Sequence, residues 1–258
     1  MKELISIVTT LYNYADYITD LIDSVIAQTY TNWELIIIDD ASTDNPHKRI
    51  KRYLTDQRIK YIKLPENKGY SIAKNKGIEE SSGEYIVMID ADDMLTEDSL
   101  ELRYNVLSKS DKLWIHGEVL VFNNQSKTQL SNCSRIWKRN FRQKLISEGN
   151  DLTTTYHHRL IHAQSVMVKR ELHKIVGLYD ESLRFSSDNE MWRRIVGFGF
   201  IPAHIEDFVA KYRVHGRRMS RSDYKKARIH KVKGYIKRIV PIRVTKPLEE
   251  TGIRILKD

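Results

Sequence analysis

Tyr85-Ile86-Val87-Met88-Ile89-Asp90-Ala91-Asp92-Asp93 is the stretch on which the reading of this 258-residue chain turns. The run from Tyr85 to Ile89 is apolar throughout and follows the turn residues Ser81-Ser82-Gly83, the pattern of a strand buried on both faces. Directly after it come three aspartates within four residues. A plain turn gains nothing from carboxylates placed so close, because like charges repel. Hard oxygen ligands stacked at a strand end are instead what Mg²⁺ or Mn²⁺ needs when it also holds a diphosphate.

Working outward, three earlier apolar runs read as strands: Leu4 to Val8, Leu35 to Ile38 and Ile59 to Leu64. Between the first two, Ile18, Leu21, Ile22, Val25 and Ile26 recur at helical spacing, with Asp16 as the expected cap. Lys48 to Leu54 and Ser71 to Glu80 are the expected second and third helices. Strands and helices in strict alternation predict an α/β fold with a mostly parallel sheet and helices on its faces. In open sheets of this kind the ligand crevice lies beyond the carboxyl ends of the strands. Candidate functional residues are therefore Thr10 and Tyr12 after the first strand, Asp39 and Asp40 after the second, and the acidic cluster after the fourth. A helix-capping role for Asp39 and Asp40 is the simpler alternative. The segment Asn67 to Gly77 surrounds a short helix with glycines and cations, Lys68 and Lys74 among them, which suits phosphate or a base.

After Glu101 the rhythm loosens. Leu113 to Phe122 reads as a strand pair or one long strand, Val166 to Val168 as a short strand, and Arg170 to Val176 and Glu190 to Val196 as helices. Ser126 to Asn150 shows no clear pattern.

Composition bounds the function. Hydrophobic residues at 41% and charged residues at 30% fit a globular domain and exclude wholesale disorder. No apolar run is long enough to span a bilayer, and no signal peptide is visible, so the expected location is cytoplasmic, with peripheral contact on the inner face of a membrane as an extension. The single cysteine, Cys133, has no partner for a disulfide or a metal cluster. The net charge of +9 is uneven: Lys211 to Asp258 holds 16 Lys and Arg against 4 Asp and Glu, so that stretch carries +12 and the remainder −3. Between Arg221 and Ile239 the cations alternate with Ile229, Val232, Tyr235, Ile236 and Ile239 at helical spacing, an amphipathic pattern suited to an anionic membrane surface or to packing on the domain.

The ordered set Ser6-Ile7-Val8-Thr9-Thr10, Tyr12-Asn13, Gln28-Thr29-Tyr30, Trp33 to Asp44, Asn67-Lys68-Gly69 and Asp90-Ala91-Asp92-Asp93 resembles the donor half of family 2 glycosyltransferases. The resemblance runs continuously over about residues 4 to 100 and returns in patches to about residue 220. It implies a Rossmann-like GT-A fold, with 1–100 as the nucleotide-sugar donor half, 101–220 as the acceptor half and 221–258 as a basic C-terminal extension. It further implies a hexosyltransferase of polysaccharide biosynthesis that takes a nucleotide-diphospho-sugar, uses Mn²⁺ or Mg²⁺, and inverts the anomeric carbon. By that resemblance Thr10, Tyr12 and Asp40 contact the nucleoside, Lys68 and Lys74 the base or diphosphate, Asp90 the ribose or metal, and Asp92 the metal. An aspartate that accepts the ring N–H of uracil points to a UDP-sugar, although thymidine and guanosine offer similar groups.

Leu178-Tyr179-Asp180-Glu181 and Ser186-Ser187-Asp188-Asn189-Glu190-Met191-Trp192 resemble the family's acceptor signature. An inverting transfer needs one carboxylate to take the proton of the acceptor hydroxyl, and Asp188 matches that base, with Glu190 as the second candidate. Ser187 departs from the pattern, since an acid is more usual there. Tyr212-Arg213-Val214-His215 resembles the family's late Tyr-Arg-x-His element, which makes His215 a metal or diphosphate ligand and Arg217 a phosphate contact. His157, His158 and His162 have no zinc-site spacing. The expected acceptor is a glycan, a lipid-linked saccharide or a protein hydroxyl. Two other classes weigh against this reading. A nucleotidyltransferase should carry a glycine-rich signature after the first strand, and none is present. A nucleic-acid-binding protein would rest on the basic tail, which lacks zinc-ligand spacing, an aromatic platform and a recognition helix, so no nucleic-acid partner is expected.

Overall fold

The computed structural model describes residues 2–123, 161–183, 187–216, 254 and 256. Four strands form first: β1 (Ile5–Leu11), β2 (Trp33–Asp39), β3 (Ile59–Lys63) and β4 (Tyr85–Asp90). Between them lie α1 (Ile18–Ile26), α2 (Pro46–Ile50) with a 3-10 turn over Lys51–Tyr53, and α3 (Tyr70–Glu79). The expected strands are therefore present, and the first and fourth run further toward the site than their apolar cores indicated. After β4 come β5 (Met94–Leu95), α4 (Ser99–Leu107), β6 (Trp114–Asn123), β7 (Val166–Lys169), α5 (Arg170–Val176), α6 (Ser187–Gly197) and β8 (Ala203–Val214). Leu113 to Phe122 thus resolves as one long strand. The sequence pattern missed α4 and the twelve-residue β8. β8 has an irregular burial pattern with no period-2 alternation to read.

The eight strands of the described residues make one sheet, ordered β3-β2-β1-β4-β7-β6-β8-β5. The first four are parallel, as is β6 with β8; β7 runs antiparallel to β4 and β6, and β5 antiparallel to β8. Period-2 alternation assigns each strand's residues to two cores. Leu35 and Ile37 join one cluster with Ile18, Leu21, Ile22 and Val25 of α1, while Ile36 and Ile38 face a second with Ala73 and Ile78 of α3 and Trp192 of α6. The result is a Rossmann-like α/β/α sandwich.

The four buried side chains of α1 contribute on the order of 6 to 12 kcal/mol of gross apolar burial, an upper bound before chain entropy is subtracted. Ile26 does not share that face and is 44% exposed. Asp16 does not cap α1 either: Tyr17 holds the N-cap position without a side-chain hydrogen bond, and Asp16 reaches Arg49 at 3.6 Å on the surface. α3 lies so close to β1 that a Cβ on Gly77 would meet Val8 Cγ1 at 2.2 Å, so only glycine fits that crossing. The two C-terminal residues described return to the domain, where Leu256 enters the second core and Arg254 bonds Glu79 and Glu181. The amphipathic stripe from Arg221 to Ile239, Cys133, His157 and His158 lie outside the described residues.

Candidate functional site

The parallel register brings the carboxyl ends of β1, β2 and β4 to one rim: Thr10 pairs with Ile38 on one side and with Asp90 on the other. The loops after β1 and β2 are stitched together there. Asn13 accepts the Thr43 N–H at 2.8 Å, its own N–H donates to Ser42 Oγ at 3.0 Å, and Ala15 N–H donates to Asp44 at 2.8 Å. Asn13 and Ala41 both adopt left-handed backbone, φ 60° and 61°. For alanine this conformation costs about 1 kcal/mol, so the surrounding bonds must hold it.

The two adjacent aspartates differ in task. Asp39 is fully buried, accepting the Ser42 N–H at 2.8 Å and the Tyr61 hydroxyl, and so shapes its own loop. Asp40 reaches across to α3, where its oxygens accept the N–H groups of Lys68 at 2.7 Å and Gly69 at 2.9 Å. Neither caps α2, whose N-cap is Asn45. Asp40 instead holds the entry to α3, and its carboxylate lies where the three loops meet. The Lys68 ammonium turns outward to Glu66 on the surface. Tyr12 is 47% exposed at the mouth, free to offer a ring face.

Asp90, Asp92 and Asp93 bring ligand atoms within 4.8 Å of one another. Burial pushes Asp90 up to about 6, a rise that the Asp92 and Asp188 charges add to and Lys74 opposes. Burial, with the Asp92 and Asp90 charges adding to it, holds Asp93 well above the usual carboxylate range. Asp90 is held by the Tyr70 hydroxyl and by Gln164 Nε2 at 3.0 Å. Asp93 accepts from Gln164 Nε2 at 2.6 Å and from the Arg213 N–H at 2.8 Å. Asp92 has one oxygen 2.8 Å from His215 Nε2, and among the described residues no donor reaches the other. His215 is itself packed between Tyr17 and Tyr14, with ring centroids at 4.5 and 5.7 Å.

Two of these residues carry no signal in the sequence reading. Gln164 lies beside the short strand β7 in no motif, and its role follows only from β7 pairing with β4. Arg213 is named in the Tyr-Arg-x-His element but without a task. The structure buries it beneath the cluster, where Nε donates to the Asp92 carbonyl at 2.7 Å and the guanidinium reaches Asp20 at 2.6 Å. This cation compensates part of the acidic charge from below.

Across the rim, α6 presents Asp188 and Glu190. Asp188 is ion-paired to Lys74 and 21% exposed. Glu190 is bonded by Arg194, one turn on, at 2.9 and 3.0 Å. Arg194 also donates to the Val176 and Leu178 carbonyls, locking α6 to the preceding loop. Ser187, where an acid was the expectation, is buried at the start of α6, and a hydroxyl costs less to desolvate there than a carboxylate. The structure therefore brings together Thr10, Asp40, Asp90, Asp92, His215, Lys74 and Asp188 along one edge of the sheet. His162 stands near Tyr212, 6.2 Å between ring centroids. Arg217 lies outside the described residues.

Comparison with known proteins agrees with this architecture. The model of glycosyl transferase family 2 matches residues 6–175. TuaG of Bacillus subtilis strain 168, named as a glycosyltransferase of teichuronic acid biosynthesis, is 29% identical over 231 residues, 88% of this chain and 85% of its own. WfgD of Escherichia coli, named as a UDP-Glc:alpha-D-GlcNAc-diphosphoundecaprenol beta-1,3-glucosyltransferase, is 34% identical over 123 residues, 48% of each chain. Among solved structures, the mannosyltransferase PcManGT from Pyrobaculum calidifontis with GDP-Man and Mn²⁺ superimposes at a TM-score of 0.71 and 20% identity, over 93% of this chain and 65% of that one. S. aureus TarS 1-349 with UDP-GlcNAc superimposes at 0.64 and 18%, over 84% and 59%. The chain thus spans less than two thirds of either solved relative. At these identities the solved structures establish the fold: GT-A.

Proposed function

Because the chain belongs to glycosyl transferase family 2 and is a glycosyltransferase, we propose that it transfers a sugar from a UDP-sugar to an acceptor hydroxyl, with inversion and with a divalent metal. The observation that carries this reading is the acidic cluster at the end of β4, with His215 beside Asp92 and Asp188 across the rim. The donor set fits Mn²⁺ or Mg²⁺. Carboxylate oxygens gathered within 4.8 Å of one another, with an imidazole nitrogen beside Asp92, are the hard oxygen and borderline nitrogen donors that such an ion would take. A cation would also relieve the repulsion that adds to burial in raising Asp90 and Asp93. Asp92 and His215 are the proposed ligands, with Asp90 turned to the ribose or the ion. When bound, the ion supplies positive charge against the diphosphate.

On this reading Thr10, Tyr12 and Asp40 receive the nucleoside, and Lys68 lies within reach of the base or diphosphate. Asp188 takes the proton of the acceptor hydroxyl. The acceptor oxygen then bonds the anomeric carbon from the face opposite the diphosphate, which leaves with the electron pair of the broken C–O bond. Glu190 is a weaker base candidate, because the bidentate Arg194 contact already occupies its oxygens. Residues 1–100 act as the donor half, 101–220 as the acceptor half and 221–258 as a basic extension. The names of TuaG and WfgD point to a glycan or lipid-linked acceptor. Among the described residues no helix is long and apolar enough to cross a membrane.

Thermal melts with UDP-glucose, UDP-N-acetylglucosamine, GDP-mannose and a thymidine diphosphosugar, each with and without Mn²⁺, test the proposal. A ligand at a hundred times its dissociation constant stabilises by about 2.7 kcal/mol. Stabilisation by a UDP-sugar that depends on Mn²⁺ supports it. Indifference to all four donors, with stabilisation by nucleic acid, overturns it.

A further inference from the structure

Lys74 is almost wholly buried, at 2% exposure, and sits on α3 one turn after Tyr70. Its ammonium lies 3.8 Å from the Tyr70 ring centroid and 4.6 Å from that of Tyr179, and pairs with Asp188. A buried ammonium loses several kcal/mol of hydration unless it is compensated, and here one carboxylate and two aromatic faces do so. Each wall of this box is tied down separately. The Tyr70 hydroxyl donates to Asp90, and Tyr179 is held through its backbone. Asn75, the next residue on α3, donates to the Tyr179 carbonyl at 2.9 Å and accepts its N–H at 2.8 Å. Helix α3 belongs to the donor half, yet it grips residues 104 and 114 positions further along the chain.

We propose that Lys74 is a positioning residue for the transfer step: its buried ammonium fixes the orientation of the Asp188 carboxylate toward the acceptor, so a donor-side helix sets the geometry of the base. This rests on Asp188 being the base. The proton balance is unchanged, since the acceptor proton ends on Asp188 and Lys74 keeps its own. On this proposal Lys74 acts through Asp188, in place of the base or diphosphate contact that the family resemblance implies.

The test uses the full chain with Lys74→Met, Lys74→Arg, Asp188→Asn and the Met/Asn double variant. Two quantities are read: UDP affinity with Mn²⁺ by calorimetry, and UDP release from UDP-glucose or UDP-N-acetylglucosamine, whichever turns over, with water as acceptor. Lys74→Met should leave UDP affinity within about twofold while lowering kcat roughly 10²-fold, the scale of impaired proton transfer. Lys74→Arg should recover at least tenfold of that loss. The double variant should be no slower than Asp188→Asn, because residues acting as one unit are not additive. Loss of UDP affinity at unchanged kcat makes Lys74 a diphosphate contact and overturns the inference, as do losses that multiply in the double variant. Lys74→Gln, a polar isostere, is read in the same way if the Met variant does not fold; failure of both shows a purely structural role and also overturns it. Full turnover in Asp188→Asn refutes the base itself, whereas an inactive Asp188→Asn beside a fully active Lys74→Met refutes only the positioning role.

Discussion

Asp92→Asn should make the metal-free protein more stable while abolishing its response to metal. At 4.8 Å, two full charges repel by roughly 3.5 kcal/mol at an effective dielectric constant of 20. Asp92 faces two such neighbours, Asp90 and Asp93, and its charge contributes to raising both. The folded protein avoids part of that cost by protonating a neighbour, so the recoverable amount is less than one full pair. Asparagine keeps an acceptor for His215, but the bond loses its charge assistance, about 1 kcal/mol. The net expectation is a gain of about 1 to 2 kcal/mol, or roughly 2 to 8 °C for a chain of this size. Melts in EDTA read the gain; melts with UDP and Mn²⁺ read the loss, since wild type should rise with the metal and the variant should not. An Asp92→Asn protein less stable than wild type in EDTA, or one with an intact Mn²⁺-dependent shift, refutes the account of the cluster as a metal site under electrostatic strain.

Asp188→Asn should retain UDP affinity and lose about 10²- to 10⁴-fold in turnover, whereas Glu190→Gln should chiefly lower the urea midpoint by loosening Arg194. Steady-state kinetics beside urea melts separate the two, and the reverse pattern moves the base to Glu190. Gly77→Ala should cost about 1 to 3 kcal/mol in urea unfolding, because the added methyl overlaps Val8 and the backbone of α3 must shift away from β1. An unchanged midpoint means that the crossing is looser than described. Burial holds His173 down to about 4 from its ordinary 6.5. Its neutral form therefore stabilises the fold above pH 6.5, and that contribution, about 3 kcal/mol, is lost as pH falls toward 4. Asp90 titrates in the same window with the opposite sign, so the comparison is the difference between His173→Gln and wild type across pH 4 to 7. The variant's stability should fall less steeply with acid, and parallel curves refute the assignment.

The first hundred residues were legible because their information is local. Each strand is a continuous apolar run, and its functional residues follow within a few positions, so Thr10, Asp40 and Asp90 could be placed on one rim from strand ends alone. The later residues were harder. β8 carries no alternation, and residues such as Gln164 draw their role from whichever strand happens to lie beside them.

The sequence by itself determined the α/β order, the acidic cluster after β4 and the two acids of α6, since each is written in contiguous residues whose periodicity or repulsion has a direct physical meaning. Tertiary structure alone decided what those acids do. It turned Asp40 onto the entry of α3, committed Glu190 to Arg194, set Arg213 beneath the aspartates and delivered Lys74 to Asp188. It also left Ile26 in solvent, although the helical pattern placed it with the core. The reason is the same in each case: the charge a residue meets, and the surface it covers, depend on partners as many as 193 positions away, brought close only when the sheet assembles.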